Sequence, residues 1–189
     1  MPEIKPFEKA LGDIAALFDR HKIDYMVIGG LANAKWGRPR ATLDIDIIAW
    51  AQDSEIENLI SILQKTYTIR VDKPLEFAAE TRVLPIKTHE AQQIDIILGT
   101  LPFEQQAIKR AVKVKIGNAD INFCTAEDLI LLKIISDRPR DLEDVEGIIK
   151  FQKENLDYGY LEPRILELSN LLDRPEIAQQ WQNWKKKHS

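Results

Sequence analysis

Two aspartates inside an otherwise aliphatic segment constrain this chain more than any other feature. Positions 43–48 read LDIDII. Side chains alternate between the two faces of a β-strand, so Asp44 and Asp46 share one face and the aliphatic residues between them share the other. Carboxylates this close repel each other, and partial burial raises the free-energy cost of ionising them. A divalent cation removes both costs, and oxygen-only ligands suit Mg²⁺ or Mn²⁺.

A second predicted strand carries one more carboxylate. Positions 93–98 read QIDIIL, with Asp95 alone among aliphatic residues. If this strand lies beside the first, Asp95 joins Asp44 and Asp46, and three carboxylates can hold two metal ions for in-line displacement at phosphorus. The alternative is that such aspartates protect an edge strand against aggregation. It fits Asp95 better than the other two, since two charges on one face of a core strand are hard to explain structurally.

A glycine pair precedes the aspartate strand. The apolar run at 25–28 predicts a buried strand that stops at Gly29 and Gly30, and the residues from 31 to 36 are compatible with a helix. A helix N-terminus offers free N–H groups that suit phosphate, and glycine lets the backbone approach a ligand closely. Taken alone, such a pair is more often a plain tight turn.

Periodicity divides the chain into an α/β part at 1–124 and a C-terminal helical part at 125–189. In the first part, the stretch from 67 to 87 contains Pro74 and Pro85 and predicts two irregular strands. The pair Gly117-Asn118 predicts a hairpin. Thr125, with Asp128 three residues later, predicts the start of the first of four C-terminal helices.

The composition of the chain limits which binding partners and which cellular location are expected. The 189 residues carry 26 basic and 30 acidic side chains, a net charge of −4, so bulk attraction to nucleic acid or to an anionic membrane is not expected. The one cysteine, Cys124, forms no intramolecular disulfide. No apolar run is long enough for a membrane span, and the N-terminal sequence has no secretory pattern. We therefore expect a cytoplasmic protein.

Together, the glycine pair and the aspartates form a more specific pattern. The letters IGG at 28–30, a spacer of thirteen residues and DIDI at 44–47 resemble the signature of the nucleotidyltransferase superfamily with the DNA polymerase β-like fold. The stretch GRPRATLDID at 37–46 is similar to AbiEii-type and related uncharacterised bacterial nucleotidyltransferases. Lincosamide nucleotidyltransferases are more distantly alike.

The resemblance implies an α/β (α+β) fold in which helices flank a mixed β-sheet. It also implies that a nucleoside monophosphate is transferred from a nucleoside triphosphate to a hydroxyl, with Mg²⁺ or Mn²⁺ as cofactor. The residues implied to be catalytic and to bind the metal are Asp44, Asp46 and Asp95. Those implied to bind the nucleotide are Gly29, Gly30, Arg40, Thr42, Lys133, Arg140 and Asp141.

One of these, Lys133, lies in an apolar helix whose residues 129–135 read LILLKII. A buried lysine must extend to solvent, pair with a carboxylate or meet an anionic ligand, and a salt bridge and a triphosphate contact both stay open. AbiEii-like sequences look similar here: a lysine on a helix, an arginine-rich turn and an acidic helix start. The acidic residues of that following helix mostly predict a solvated face; they are Asp141, Glu143, Asp144 and Glu146.

Leu31 stands where relatives often carry a serine, and the acceptor is not transferable from the resemblance. The acceptor classes are an RNA 3′ end, a protein side chain and a small hydroxylated compound. Some relatives are toxins of toxin–antitoxin or phage-defence pairs, which would imply an antitoxin partner. One alternative is a non-catalytic module that binds a nucleotide or a partner. Another is a small-molecule enzyme of the antibiotic-modifying type.

Overall fold

A computed structural model describes residues 6–39, 42 and 44–188. Among these residues, seven strands form one mixed sheet: β1 (Tyr25–Val27), β2 (Ile45–Trp50), β3 (Thr68–Ile69), β4 (Val83–Lys87), β5 (Gln93–Gly99), β6 (Val112–Ile116) and β7 (Ala119–Phe123). The strands lie in the order β3-β4-β5-β2-β1-β7-β6. The pairs β1–β7 and β2–β5 are parallel and the other four are antiparallel. The predicted fold class is confirmed.

The α-helices of the described residues are α1 (Pro6–His21), α2 (Gly29–Trp36), α3 (Ile56–Gln64), α4 (Pro74–Thr81), α5 (Pro102–Arg110), α6 (Ala126–Ile134), α7 (Pro139–Gln152), α8 (Tyr158–Leu171) and α9 (Pro175–His188). Within the described ranges, none of them combines the length and the apolar character that a membrane crossing needs.

The chain separates into two compact units. One comprises Met1–Leu31 and Ala41–Cys124 and contains the sheet; the other comprises Ala32–Arg40 and Thr125–Ser189 and is helical. The two-domain division at 124 and 125 stays a prediction.

The core of the sheet unit depends on the pairing of β2 with β5. One face of this pair consists of aliphatic residues that are at most 2% exposed: Ile45, Ile47, Ala49, Ile94, Ile96 and Leu98. Burying such side chains contributes roughly 1.5–3 kcal/mol each for the larger ones. The two strands are therefore fixed in register, because a shift by one residue would turn the aliphatic face away from the core.

The stretch between Tyr67 and Lys87 differs from the prediction of two irregular strands. Strands β3 and β4 are present, but helix α4 lies between them. Pro74 stands in the first turn of α4, where its missing N–H leaves no helical hydrogen bond unmade. Arg82 ends the helix in the left-handed conformation, with φ at 59°. Pro74 therefore starts a helix here and does not interrupt a strand.

Two local signals are found where the sequence indicates them. Gly117 takes a left-handed φ of 57° in the hairpin between β6 and β7. Thr125 precedes α6, and its hydroxyl accepts a hydrogen bond of 3.1 Å from the backbone N–H of Asp128.

Removing this cap is expected to destabilise the chain measurably. Thr125→Ala should lower the free energy of unfolding by about 1 kcal/mol, because an N–H at the start of α6 loses its acceptor. Urea denaturation measures the change. Thr66→Ala, at an exposed turn position after α3, is the matched control and should change stability by less than half as much. Equal effects would contradict the capping role.

Candidate active site

Two of the three predicted carboxylates lie side by side on the sheet. Asp46 on β2 stands opposite Asp95 on the parallel neighbour β5. Adjacent strands are about 4.8 Å apart, and residues in register point to the same face. Both residues are half-buried, and the next pair along this face is Ile48 with Ile97. Two acidic groups therefore share a largely apolar face.

Asp44 is placed differently from the prediction. Strand β2 begins at Ile45, and Asp44 lies exposed before it, so the alternation of side chains does not extend to this residue. In the described parts of the chain, no three Asp, Glu, His or Cys residues form a group that could hold a metal ion. The predicted convergence of three carboxylates is therefore not found there; the structure brings together a pair, Asp46 and Asp95.

The glycine turn lies directly against Asp46. The N–H of Ile28 donates a hydrogen bond of 2.9 Å to the backbone oxygen of Asp46. Gly29 has a left-handed φ of 64°, and a Cβ added to it would lie 2.7 Å from Cγ and 2.9 Å from Cβ of Asp46. Only glycine satisfies both the backbone angle and this close approach. Helix α2 thus begins beside a carboxylate of the pair.

Thr42 joins the same group. A Cβ added to Gly30 would lie 2.7 Å from Oγ1 and 2.9 Å from Cβ of Thr42. The Thr42 hydroxyl donates a hydrogen bond of 3.3 Å to the backbone oxygen of Asp44. Of the predicted nucleotide contacts, Gly29, Gly30 and Thr42 are therefore neighbours. The predicted contact Arg40 lies outside the described residues.

Sequence reasoning missed Arg70, which follows β3. Its guanidinium forms an ion pair with Oδ1 of Asp95 and donates a hydrogen bond of 2.7 Å to Oε1 of Gln93. Its backbone N–H donates a hydrogen bond of 2.8 Å to the oxygen of Pro85. No motif marks this arginine. Only the strand order, with β4 between β3 and β5, shows that it can reach Asp95.

The donor set of this site suits Mg²⁺ or Mn²⁺. In proteins, Mg²⁺ is usually bound by one or two carboxylates together with substrate phosphates and water, rather than by an all-protein cage. Asp46 and Asp95 supply two carboxylates on one face. The absence of a Cβ at Gly29 also leaves backbone close to them. The residues present therefore fit a cation that is held jointly with a phosphate.

In the helical unit, Lys133 pairs with two carboxylates. Its Nζ lies 2.5 Å from Oδ1 of Asp141 and 2.9 Å from Oδ2 of Asp144, and only 7% of Lys133 is exposed. The buried amide of Asn33 donates a further hydrogen bond of 2.9 Å to Oδ1 of Asp144. Of the two alternatives left open by the sequence, the structure contains the salt bridge.

Asp141 collects further donors around its carboxylate. The hydroxyl of Ser136 donates at 2.8 Å and the Nε of Arg138 at 2.6 Å. Burial raises the pKa of Asp141, but the hydrogen bonds from Lys133 and Ser136 and the charges of Lys133 and Arg138 outweigh it, so this pKa lies below its ordinary value.

The prediction of a solvated acidic face on α7 is wrong for Asp141 and Asp144. Both are buried, because residues three apart on a helix share a face and this face meets Lys133. Glu143 is exposed as predicted. Glu146 accepts hydrogen bonds from Lys187 and His188, which lower its pKa despite partial burial.

Arg140 is exposed and lies in a groove of the helical unit that encloses about 720 Å³. The groove is also lined by the basic side chains of Arg38, Lys150 and Lys187 and by the acidic side chains of Glu143, Asp144 and Glu146. The predicted helical contacts thus fall into two kinds: Lys133 and Asp141 are buried against each other, whereas Arg140 is available to an anionic ligand.

A mixed sheet that carries a glycine turn against paired carboxylates defines a protein of the nucleotidyltransferase class. Residues 6–188 match the family model described as "Nucleotidyltransferase of unknown function (DUF6036)". The chain belongs to this family. No curated protein matches the sequence significantly.

Solved structures share the fold at low sequence identity. The antibiotic-resistance factor ANT(2'')-Ia in solution is 12% identical with a TM-score of 0.60, covering 92% of this chain and 97% of that one. The lincosamide antibiotic adenylyltransferase LnuA, lincomycin-bound, is 16% identical with a TM-score of 0.51, covering 78% and 98%. An antigenic nucleotidyltransferase-like protein from Paracoccidioides brasiliensis is 15% identical with a TM-score of 0.52, covering 92% and 90%. The narrower AbiEii-type likeness stays a prediction.

Gly29→Ala is expected to lower the free energy of unfolding by roughly 1–3 kcal/mol, since alanine is strained at a left-handed φ and its Cβ would collide with Asp46. Gly12→Ala is the control. A Cβ at Gly12 meets Ala119 at an ordinary 3.6 Å, and alanine is favoured inside helix α1 by about 1 kcal/mol. Urea denaturation of both variants is the measurement. Destabilisation by the same amount at both positions would contradict the account.

Asp141→Asn is expected to lower the free energy of unfolding at pH 7 by about 1–3 kcal/mol, because buried donors lose a charged acceptor. The folded-state pKa of Asp141 is depressed. Its stabilising effect is therefore present above the unfolded pKa, near pH 4, and is lost as the pH falls through the folded value.

The variant should lack that part of the acid dependence. Urea denaturation from pH 7 to pH 3 measures it, with Glu143→Gln on the exposed side of α7 as control. Parallel stability curves for Asp141→Asn and the wild type would contradict the role of this ion pair.

Proposed function

We propose that this chain transfers a nucleoside monophosphate from a nucleoside triphosphate to a hydroxyl acceptor, with Mg²⁺ or Mn²⁺ bound at Asp46 and Asp95. Membership of a nucleotidyltransferase family supports the transfer. The observation that carries the site assignment is the in-register pairing of Asp46 with Asp95 beneath the turn at Gly29.

In this proposal, the triphosphate lies at the start of α2. The unpaired N–H groups of the first helical turn and the positive end of the helix dipole favour phosphate there. The missing Cβ atoms at Gly29 and Gly30 let Asp46 and Thr42 pack against the turn, so a carboxylate and a hydroxyl stand next to the proposed phosphate position. Asp44, exposed at the entrance to β2, is proposed to turn toward the site as a third carboxylate when nucleotide and metal are present.

The metal, when bound, would neutralise phosphate charge and polarise the reacting oxygens. The acceptor oxygen forms a bond to the α-phosphorus while the bond from that phosphorus to the bridging oxygen breaks, and pyrophosphate leaves. The proton of the acceptor hydroxyl passes to a carboxylate of the Asp46–Asp95 pair. The protein residues mainly contribute position and charge, as phosphoryl transfer requires.

The helical unit would contribute in two ways. Arg140 is proposed to contact phosphate, since it is exposed in a groove that Arg38 and Lys150 also line and a guanidinium binds phosphate in two places at once. Arg40 is proposed for the same task. Lys133 and Asp141 are proposed to support this function indirectly: their buried ion pair fixes the first turn of α7, which carries Arg140.

Among the acceptor classes, we favour a small hydroxylated compound. The structure of ANT(2'')-Ia with adenylyl-2''-tobramycin has a TM-score of 0.55 with this chain, and LnuA is described with bound lincomycin. At 13% and 16% identity these likenesses concern the fold, so an RNA end or a protein side chain stays open. Toxin activity, an antitoxin partner and a cytoplasmic location stay predictions. A non-catalytic module is less favoured, because the carboxylate pair is intact.

Label transfer tests the proposal. The purified chain is incubated with Mg²⁺, each α-labelled nucleoside triphosphate in turn, and either total RNA, total protein or a panel of aminoglycosides and lincosamides. We expect label in one acceptor fraction. Label in the small-molecule fraction supports the favoured acceptor, whereas label in RNA or protein identifies one of the others.

Asp46→Asn and Asp95→Asn are expected to lower the transfer rate on the order of 10²-fold or more, the effect of losing a positioned charge-stabilising group. Asp120→Asn, an exposed aspartate on β7 of the same sheet, should retain the wild-type rate. Transfer that is unchanged in Asp46→Asn would contradict the site, and the absence of label from every fraction would contradict the activity.

A further inference from the structure

The ion pair between Arg70 and Asp95 has a consequence for metal binding, if the proposed function holds. Arg70 is not a loosely placed surface side chain. Its backbone is hydrogen-bonded to Pro85, which stands opposite Asp95 on β4, and its guanidinium is shared between Asp95 and Gln93. Only 28% of its side chain is exposed. The positive charge is thus built into the same face of the sheet that holds the two carboxylates.

The charge of Arg70 offsets a repulsion between Asp46 and Asp95, which the pairing of β2 with β5 brings together. Asp46 and Asp95 lie side by side because the buried aliphatic residues on the other face of the sheet fix the register of β2 and β5. Their strands are about 4.8 Å apart, so the negative charges of the two half-buried side chains repel each other. A guanidinium on Asp95 offsets that repulsion when no metal is bound.

The same charge must oppose a divalent cation. A metal that approaches Asp95 meets the guanidinium at Oδ1, so it either displaces Arg70 or binds with one carboxylate oxygen fewer. A triphosphate changes this balance, because its negative charges attract the metal and supply further oxygen ligands. We propose that Arg70 is a resident counter-cation of Asp95, which keeps the carboxylate pair stable without metal and makes metal occupancy depend on the nucleotide.

The competition between Arg70 and a metal for Asp95 is tested by measuring the binding of Mn²⁺ without nucleotide. The electron paramagnetic resonance signal of free Mn²⁺ reports how much metal stays unbound. Arg70→Gln removes the charge and should bind Mn²⁺ roughly tenfold more tightly than the wild type, the size of effect that one adjacent charge has on an ionic equilibrium. Arg70→Lys keeps the charge and should stay close to the wild type. Asp46→Asn in the Arg70→Gln background should abolish the gain, which locates the metal at this site.

Arg82→Gln is the matched control. Arg82 also forms an arginine–aspartate ion pair in the sheet unit, with its Nη1 2.7 Å from Oδ1 of Asp53, and its side chain is 30% exposed. Asp53 is 86% exposed and lies outside the carboxylate pair, so this variant should leave Mn²⁺ affinity unchanged.

Metal-free stability provides a second readout. Arg70→Gln should unfold at a lower urea concentration than the wild type, and adding Asp95→Asn should recover most of that loss, because the repulsion disappears with the charge.

Unchanged or weaker Mn²⁺ binding by Arg70→Gln would overturn the inference, as would an equal gain in Arg82→Gln or a failure of Asp95→Asn to restore stability. These outcomes are independent of the label-transfer result. Transfer activity with no effect of Arg70 leaves the proposed function standing and removes only the counter-cation.

Discussion

The parallel pairing of β2 with β5 is the constraint on which the rest of the site depends. Aliphatic residues on one face of both strands hold the register, and that register sets Asp46 opposite Asp95 on the other face. Strand β1, antiparallel to β2, ends beside Asp46 and leads into the turn at Gly29. Packing of the aliphatic face thus brings the negative charges of Asp46 and Asp95 together on the other face, where they repel each other.

In both units, a buried or half-buried carboxylate is paired with a basic side chain. In the sheet unit, Arg70 pairs with Asp95; in the helical unit, Lys133 pairs with Asp141 and Asp144. The two cases differ in exposure. Lys133 is almost entirely buried, and its pairs hold α7 against α6. The pair at Asp95 is partly open, so a ligand with a larger charge can compete for it.

Much of this arrangement follows from the sequence, and the exceptions have physical causes. Asp46 and Asp95 are identifiable because each interrupts an aliphatic strand pattern. Asp44 lies just before β2 rather than inside it, because strand alternation says nothing about where a strand begins. Lys133 was ambiguous because a buried lysine accepts either a carboxylate or an anionic ligand. No sequence pattern predicts the role of Arg70, since its contact with Asp95 depends on the order of strands β3, β4 and β5 in the sheet.

The most direct test of the central claim is a crystal structure of the chain with Mn²⁺ and a nucleoside triphosphate analogue that cannot be cleaved between its α- and β-phosphates. The account predicts an anomalous Mn²⁺ peak between the carboxylates of Asp46 and Asp95, with the triphosphate against Gly29 and Gly30. A triphosphate bound away from the glycine turn, or Mn²⁺ bound without a contact to Asp46, would contradict it.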